Sequence, residues 1–179
     1  MKPFLYFILS CVLLSCKSSK TIIDDSHPIH GIMSSKNFEF KAKSANPLAT
    51  QSLTAVANSG LLPPGSNISR IDLNGNGNYI KVTNDSVSAN LPYYGERQFG
   101  GTYGTADGVE FNGVPDDYNQ TFNADKQRYM VTFQISNSTD RYTVNMQVYP
   151  NKSCVVSVNT SNRNTIQYNG TIESLDSKD

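Results

Sequence analysis

Cys16 is the residue whose neighbours most directly specify a reaction. It closes the run Leu13-Leu14-Ser15-Cys16, behind Lys2 and an apolar stretch from Phe4 to Leu14 that only Ser10 and Cys11 interrupt. A positive start, a short apolar segment and a small residue before the cut are the parts of a secretory signal. The ending Leu-x-small-Cys is the lipobox pattern. There the Cys thiol receives diacylglycerol, the preceding peptide is cut away, and the Cys becomes the lipidated N-terminus. The stretch is too short to span a bilayer, which takes roughly 20 apolar residues. Residues 1–15 are thus expected to be a signal peptide and Cys16 the lipidation site. Two or more acyl chains, palmitate among them, would hold the protein stably on the bilayer.

The other groups capable of chemistry give weaker signals. Glu110 with Asp116-Asp117 is the best acidic cluster for a carboxylate pair of the glycosidase kind. Asp116-Asp117 follow Pro115 and read as a loop. Neighbours on one strand face opposite ways, so no shared acid–base role is laid out. Asp72-x-Asn74-x-Asn76-Gly77-Asn78 imitates the start of a calcium loop, but Thr83 stands where the bidentate Glu belongs, so the segment reads as a turn. His27 and His30 are the only histidines, and no Cys or acidic cluster completes a zinc site with them. A Ser-His or Cys-His hydrolase would need a histidine inside the domain. No catalytic residue, metal or cofactor is expected.

Leu91-Pro92-Tyr93-Tyr94-Gly95 with Arg97 places aromatics beside an Arg. That combination is common at binding hot spots and also suits the plugging of a barrel end. Tyr93, Tyr94 and Arg97 are the partner-binding candidates, beside that structural role. Asp85-Ser86-Val87 resembles a short O-glycosylation motif of exported proteins, and the hairpin turn expected around it would expose Ser86.

These residues need elements to position them. Phe38-Glu39-Phe40-Lys41-Ala42-Lys43 alternates apolar and polar, as a half-buried strand does. Tyr79 to Val82 and Val87 to Leu91 flank Thr83-Asn84-Asp85-Ser86 as a hairpin. Val109 to Phe111, Arg128 to Ser136, Tyr142 to Val148, Cys154 to Val158 and Thr165 to Ile172 continue the pattern. Leu48 to Ala57 fits a helix or a strand, and Leu61-Leu62-Pro63-Pro64-Gly65 is a connector. The expectation is one antiparallel all-β domain, a β-sandwich or open barrel of about eight strands, with few or no helices after the signal. Its limits are placed at residues 37–173, with a polar tail over 174–179. Residues 17–36 read as a flexible polar tether, and about 20 such residues reach roughly 25 Å.

Composition removes several classes. The net charge is zero and no basic run occurs, so nucleic acid is not an expected partner. Of three cysteines, Cys11 leaves with the signal and Cys16 carries lipid, which leaves Cys154 as a small buried hydrophobe and no internal disulfide. Ten Tyr and eight Phe, with no Trp, suit strands.

Several segments together resemble a family of small bacterial lipoproteins known as domain-of-unknown-function family 4251. Leu91-Pro92-Tyr93-Tyr94-Gly95-Glu96-Arg97 is similar to its Leu-Pro-Tyr-aromatic-Gly segment. Asn162-Arg163-Asn164-Thr165-Ile166-Gln167-Tyr168-Asn169-Gly170 is similar to its closing Arg-x-x-Ile-x-Tyr-x-Gly. Phe38-x-Phe40-x-Ala42 with Ala45-Asn46-Pro47 fits its opening. The resemblance implies a lipoprotein with one β-rich domain and brings no catalytic residues.

The expected protein is therefore a lipid-anchored component of the bacterial cell envelope, acting as a non-catalytic binding or assembly module on an envelope protein or glycan. Lys17 after the Cys is not the Asp that signals inner-membrane retention, so the outer membrane is expected, on its periplasmic or its surface face. One alternative is a carrier of a small apolar ligand in a barrel cavity. Another is a carboxylate-only glycan hydrolase.

Overall fold

The protein is seen in a computed structural model that describes residues 22–96, 108–138 and 140–175. The alternating segments form strands, because successive side chains of a strand face opposite ways. The strands are β1 (Asn37–Pro47), β2 (Ile71–Asp72), β3 (Tyr79–Thr83), β4 (Ser86–Leu91), β5 (Val109–Gly113), β6 (Asp116–Asn123), β7 (Arg128–Ser136), β8 (Arg141–Val148), β9 (Ser153–Thr160) and β10 (Ile166–Ser174). Among the described residues two short helices, α1 (Pro28–Ser34) and α2 (Gln51–Asn58), accompany them. The strands pair antiparallel in one sheet ordered β5-β4-β3-β1-β10-β9-β8-β7-β6, with β2 beside β1. The sheet curls into a half-barrel instead of dividing into the two layers of a sandwich. Beyond the strands expected from the sequence, it holds the two-residue β2 and the polar β6.

Cross-strand rows build the concave face. Val131, Met146, Val156, Tyr168 and Ala45 stand opposite one another across β7, β8, β9, β10 and β1. Phe133, Val144, Val158, Ile166 and Pro47 form the next row. Every member of both rows is buried. Each large apolar side chain withdrawn from water contributes roughly 1.5–3 kcal/mol. Cys154 faces the same core and is 1 % exposed, as expected of a small hydrophobe.

β1 carries a bulge between Ala42 and Ser44, which bends the strand and sharpens the twist. Gly170 on β10 faces that bulge. A Cβ there would run into the Lys41 carbonyl oxygen and come within 2.8 Å of the Phe40 ring. The ring occupies the space that glycine leaves open.

The two edge strands, β5 and β6, are successive parts of one extended run that bends at Val114-Pro115. Its first part pairs with β4 and its second with β7. A bulge between Asp116 and Asn119 accompanies the turn of direction, with Asp117 at φ 52°. The sheet thereby folds over itself, and Phe111 of β5 packs on Phe133 of β7 (centroids 6.0 Å) and on Tyr142 of β8 (5.4 Å).

Within the segment expected as a tether, residues 28–34 form α1, which packs on the sheet through Ile29 and Met33, while Ile22, Asp24, Asp25 and Ser26 stay exposed. His27 caps α1 through Nδ1, which accepts from the Ile29 N–H, and Pro28 occupies the first turn. Ile29 and Met33, four residues apart, share a helix face and are 1 % and 0 % exposed. The Gln120 side chain of β6 donates to the Met33 carbonyl at 2.9 Å, and Asn84 N of the β3–β4 turn donates to the Lys36 carbonyl at 2.8 Å. α1 is thus held between the β6 edge and the β3–β4 turn. Apolar burial overrides the polar composition of this segment. Among the described residues no helix is long and apolar enough to cross a membrane.

Candidate functional site

A cluster of polar side chains lies where β4, β7 and β9 end. The β9–β10 connection brings Arg163 inward, 6 % exposed. Its guanidinium donates to the Asp140 carboxylate at 2.7 Å and to the Gly108 carbonyl at 3.1 Å. It also lies over the Tyr93 ring, 5.1 Å from the centroid. Asp140 is placed by the β7–β8 turn, where its N–H meets the Asn137 side-chain oxygen at 2.8 Å. The same carboxylate accepts from Asn162 at 3.3 Å. The Asn137 amide donates to the Glu110 carbonyl at 2.9 Å and toward the Tyr142 hydroxyl at 3.1 Å. β5 is thereby joined to the β7–β8 turn.

Two tyrosines complete the plug. The Tyr93 hydroxyl donates to the Asn164 carbonyl at 2.9 Å, with the Glu96 carbonyl 3.2 Å away. The Tyr168 hydroxyl donates to the Pro92 carbonyl at 2.9 Å. The segment after β4 and the segment before β10 are therefore stitched by both tyrosines and by the Arg. Gly95 allows this return, since a Cβ there would sit 2.5 Å from the Tyr93 hydroxyl. Burial pushes the hydroxyls of Tyr168, Tyr142 and Tyr94 up from their ordinary value. The Asp140–Arg163 pair, with side chains 0 % and 2 % exposed, is a cross-link through the barrel end and is shielded from solvent molecules.

A second feature is a cleft of about 440 Å³ lined by Lys36, Asp85, Val114, Pro115 and Tyr118. The Lys36 ammonium lies 5.1 Å from the Tyr118 ring centre. Tyr118 stacks on Phe133 at 6.1 Å, and burial pushes its hydroxyl up to about 12.

The expected site residues distribute as follows. Tyr93 enters the plug, and Tyr94 is half-buried and packs against the core. Arg97 and Cys16 lie outside the described residues. Ser86 is exposed at the first position of β4, opposite Thr83. Glu110 stands opposite Asn90, and Asp116 opposite Gln134, with Glu110, Asp116 and Asp117 all exposed. Asp116-Asp117 open β6 instead of forming a loop. Asp72 accepts from Asn74 N at 2.9 Å in a tight turn, as the turn reading expects. Among the described residues no three His, Cys, Asp or Glu side chains group as metal ligands. Phe38, Phe40, Phe133, Tyr142 and Tyr168 fill the concave face, where an apolar ligand carrier would need space. Asp140 is the member of the plug that the sequence reading missed.

Comparison with known families adds one result. The profile of the family described as Domain of unknown function (DUF4251) matches residues 24–172. The chain belongs to this family. No curated protein matches it. The DUF4251 match opens before α1 and closes within β10, so the docked helix lies inside the family's unit. The DUF4251 segments singled out from the sequence are the plug's own: Leu91 to Gly95 supplies Tyr93, and Arg163 to Gly170 supplies the Arg, Tyr168 and the bulge-facing glycine.

Proposed function

We propose that this DUF4251 chain is a lipid-anchored protein of the bacterial cell envelope. Acylated Cys16 holds it at the outer membrane, and its half-barrel is a non-catalytic binding or assembly module for an envelope protein. The lipobox supports the anchor. The observation that carries the module reading is the Asp140–Arg163 cross-link. Its carboxylate and guanidinium are sealed at 0 % and 2 % side-chain exposure, where they tie the β7–β8 turn to the β9–β10 connection and to Gly108 before β5. Such a site holds a surface in shape and leaves recognition to exposed groups. Leu48 and Leu61, 60 % and 75 % exposed on either side of α2, offer apolar contact to a partner protein.

Chemical cross-linking in intact envelopes, followed by affinity purification, tests the reading. The expected result is a specific protein partner that the double variant Leu48→Ser/Leu61→Ser loses while keeping its far-ultraviolet circular dichroism. Recovery of no specific partner would sink it. A positive glycan array with no protein partner would move the recognition to sugars and overturn the protein assignment.

A further inference from the structure

The packed N-terminal segment bears on how the domain stands on its membrane. If residues 17–36 were all free, the domain would float and tumble above the lipid. Instead, Gln127, in the β6–β7 turn, clamps the chain at Ile23. Its side-chain oxygen accepts from Ile23 N at 2.7 Å, and its amide donates to the Ala124 carbonyl at 2.6 Å. Gln127 holds a left-handed backbone, φ 48°, which a non-glycine residue adopts at a cost. It is only 9 % exposed, so the clamp is built into the turn. Four residues beyond the clamp, His27 begins α1, and His30 Nδ1 lies 2.6 Å from the Tyr129 hydroxyl. The His30 ring meets Phe122 at 5.1 Å and Tyr129 at 5.6 Å, edge-on.

Few residues separate Cys16 from the clamp. The six steps from Cys16 to Ile22 span at most about 21 Å even when fully extended. From Gln127, just before β7, to Asn137, just after it, the chain runs on the order of 30 Å. The plug of Tyr93, Asp140 and Arg163 lies at the far end of that strand. Around the clamp, Asp24, Asp25 and Asp125 are balanced by Lys126, Arg128 and Lys152, so this end carries no charge bias against a zwitterionic surface. Ile22, the described residue nearest the anchor, is 75 % exposed and free to enter the interfacial layer.

We infer that the clamped end of the half-barrel, from Ile22 to the β6–β7 turn, docks against the lipid headgroups and points the Tyr93–Arg163 end away from the membrane. This orientation rests on the lipid anchor proposed above. The membrane partner is the bilayer itself, with no need for anionic lipid. The plug end and α2, which follows β1 at that end, are then presented outward.

The absence of tryptophan makes the test direct. Single reporters Ala124→Trp, beside the clamp, and Ser161→Trp, beside the plug, are placed at exposed turns of the full-length acylated protein. Each is reconstituted into phosphatidylcholine vesicles containing a headgroup nitroxide lipid. Tryptophan emission should be quenched several-fold more at position 124 than at 161. Equal quenching at the two positions, or the reverse order, in protein that floats with the vesicles overturns the orientation and leaves the anchor standing. Protein that carries no diacyl group on Cys16 and fails to float overturns both.

Discussion

The Asp140 carboxylate and the Arg163 guanidinium lie 2.7 Å apart across 23 residues of sequence, with both side chains all but excluded from solvent. Removing one partner leaves the other charge buried, a change that costs about 3–5 kcal/mol. Asp140→Leu and Arg163→Met should each lower stability by that amount in urea denaturation. The double variant should lose less than the two single losses added together, because neither charge is then stranded. Additive losses would mean the pair does not act as a unit.

Gly170 and Gly31 should respond to alanine with opposite signs. At Gly170 the new methyl group meets the Lys41 carbonyl and the Phe40 ring. The loss should fall at or above the upper end of the about 1–3 kcal/mol typical of overpacking. At Gly31, inside α1, nothing lies within 4 Å of the added carbon. Alanine there should stabilise by about 0.5–1 kcal/mol. Thermal denaturation of the two variants checks both signs.

Met33→Ala tests whether α1 belongs to the folded unit. Met33 is wholly buried, so truncation should cost about 2–5 kcal/mol. A free tether would show no change in the urea midpoint.

Stability should begin to fall near pH 9, where the unfolded Cys154 thiol loses a proton that the buried thiol keeps, and fall further from about pH 10 toward pH 12, the range set by Tyr118. Burial raises its folded value to about 12, so the folded chain keeps a proton that the unfolded chain has released. Tyr168 and Tyr142 are raised by burial as well and act in the same direction. A titration of tyrosinate absorbance alongside circular dichroism should show these hydroxyls ionising together with loss of the fold. Ionisation near pH 10 with the fold intact would contradict the burial.

Cys154 offers a direct probe of opening. Its thiol is 1 % exposed and pushed up by burial, so maleimide should fail to label it in the native protein. Labelling should appear at the denaturant concentration where the sheet melts. Mass spectrometry of the peptide that contains Cys154 reports the result.

The parts legible in the sequence are those with a strong local period. β7, β8 and β9 alternate Val, Phe, Tyr and Met with polar residues, and the structure keeps that phase throughout. β6 was hidden because Asp116, Asn119, Gln120 and Thr121 carry a turn-like composition, and only Tyr118 and Phe122 mark its inner face. α1 was hidden because its burial rests on Ile29 and Met33 alone, inside a polar stretch that contains a proline. Tyr93 and Arg163 could be singled out by residue type and motif. Asp140 could not, since in Asn137-Ser138-Thr139-Asp140 it reads as a turn former. The available signal was indirect: an Arg destined for the interior requires a counter-charge, and only topology names which carboxylate supplies it.

The bent run of β5 and β6 has a consequence for crowding. Where copies meet at high local concentration, an open strand edge would template polymer growth between neighbours. Here both borders of the sheet belong to one stretch of chain that turns back over its own core. The Asn137 amide takes the Glu110 carbonyl on one border, and α1 lies along the other. A straight Val114-Pro115 would expose two templates at once, so this bend is also a barrier to fibre formation.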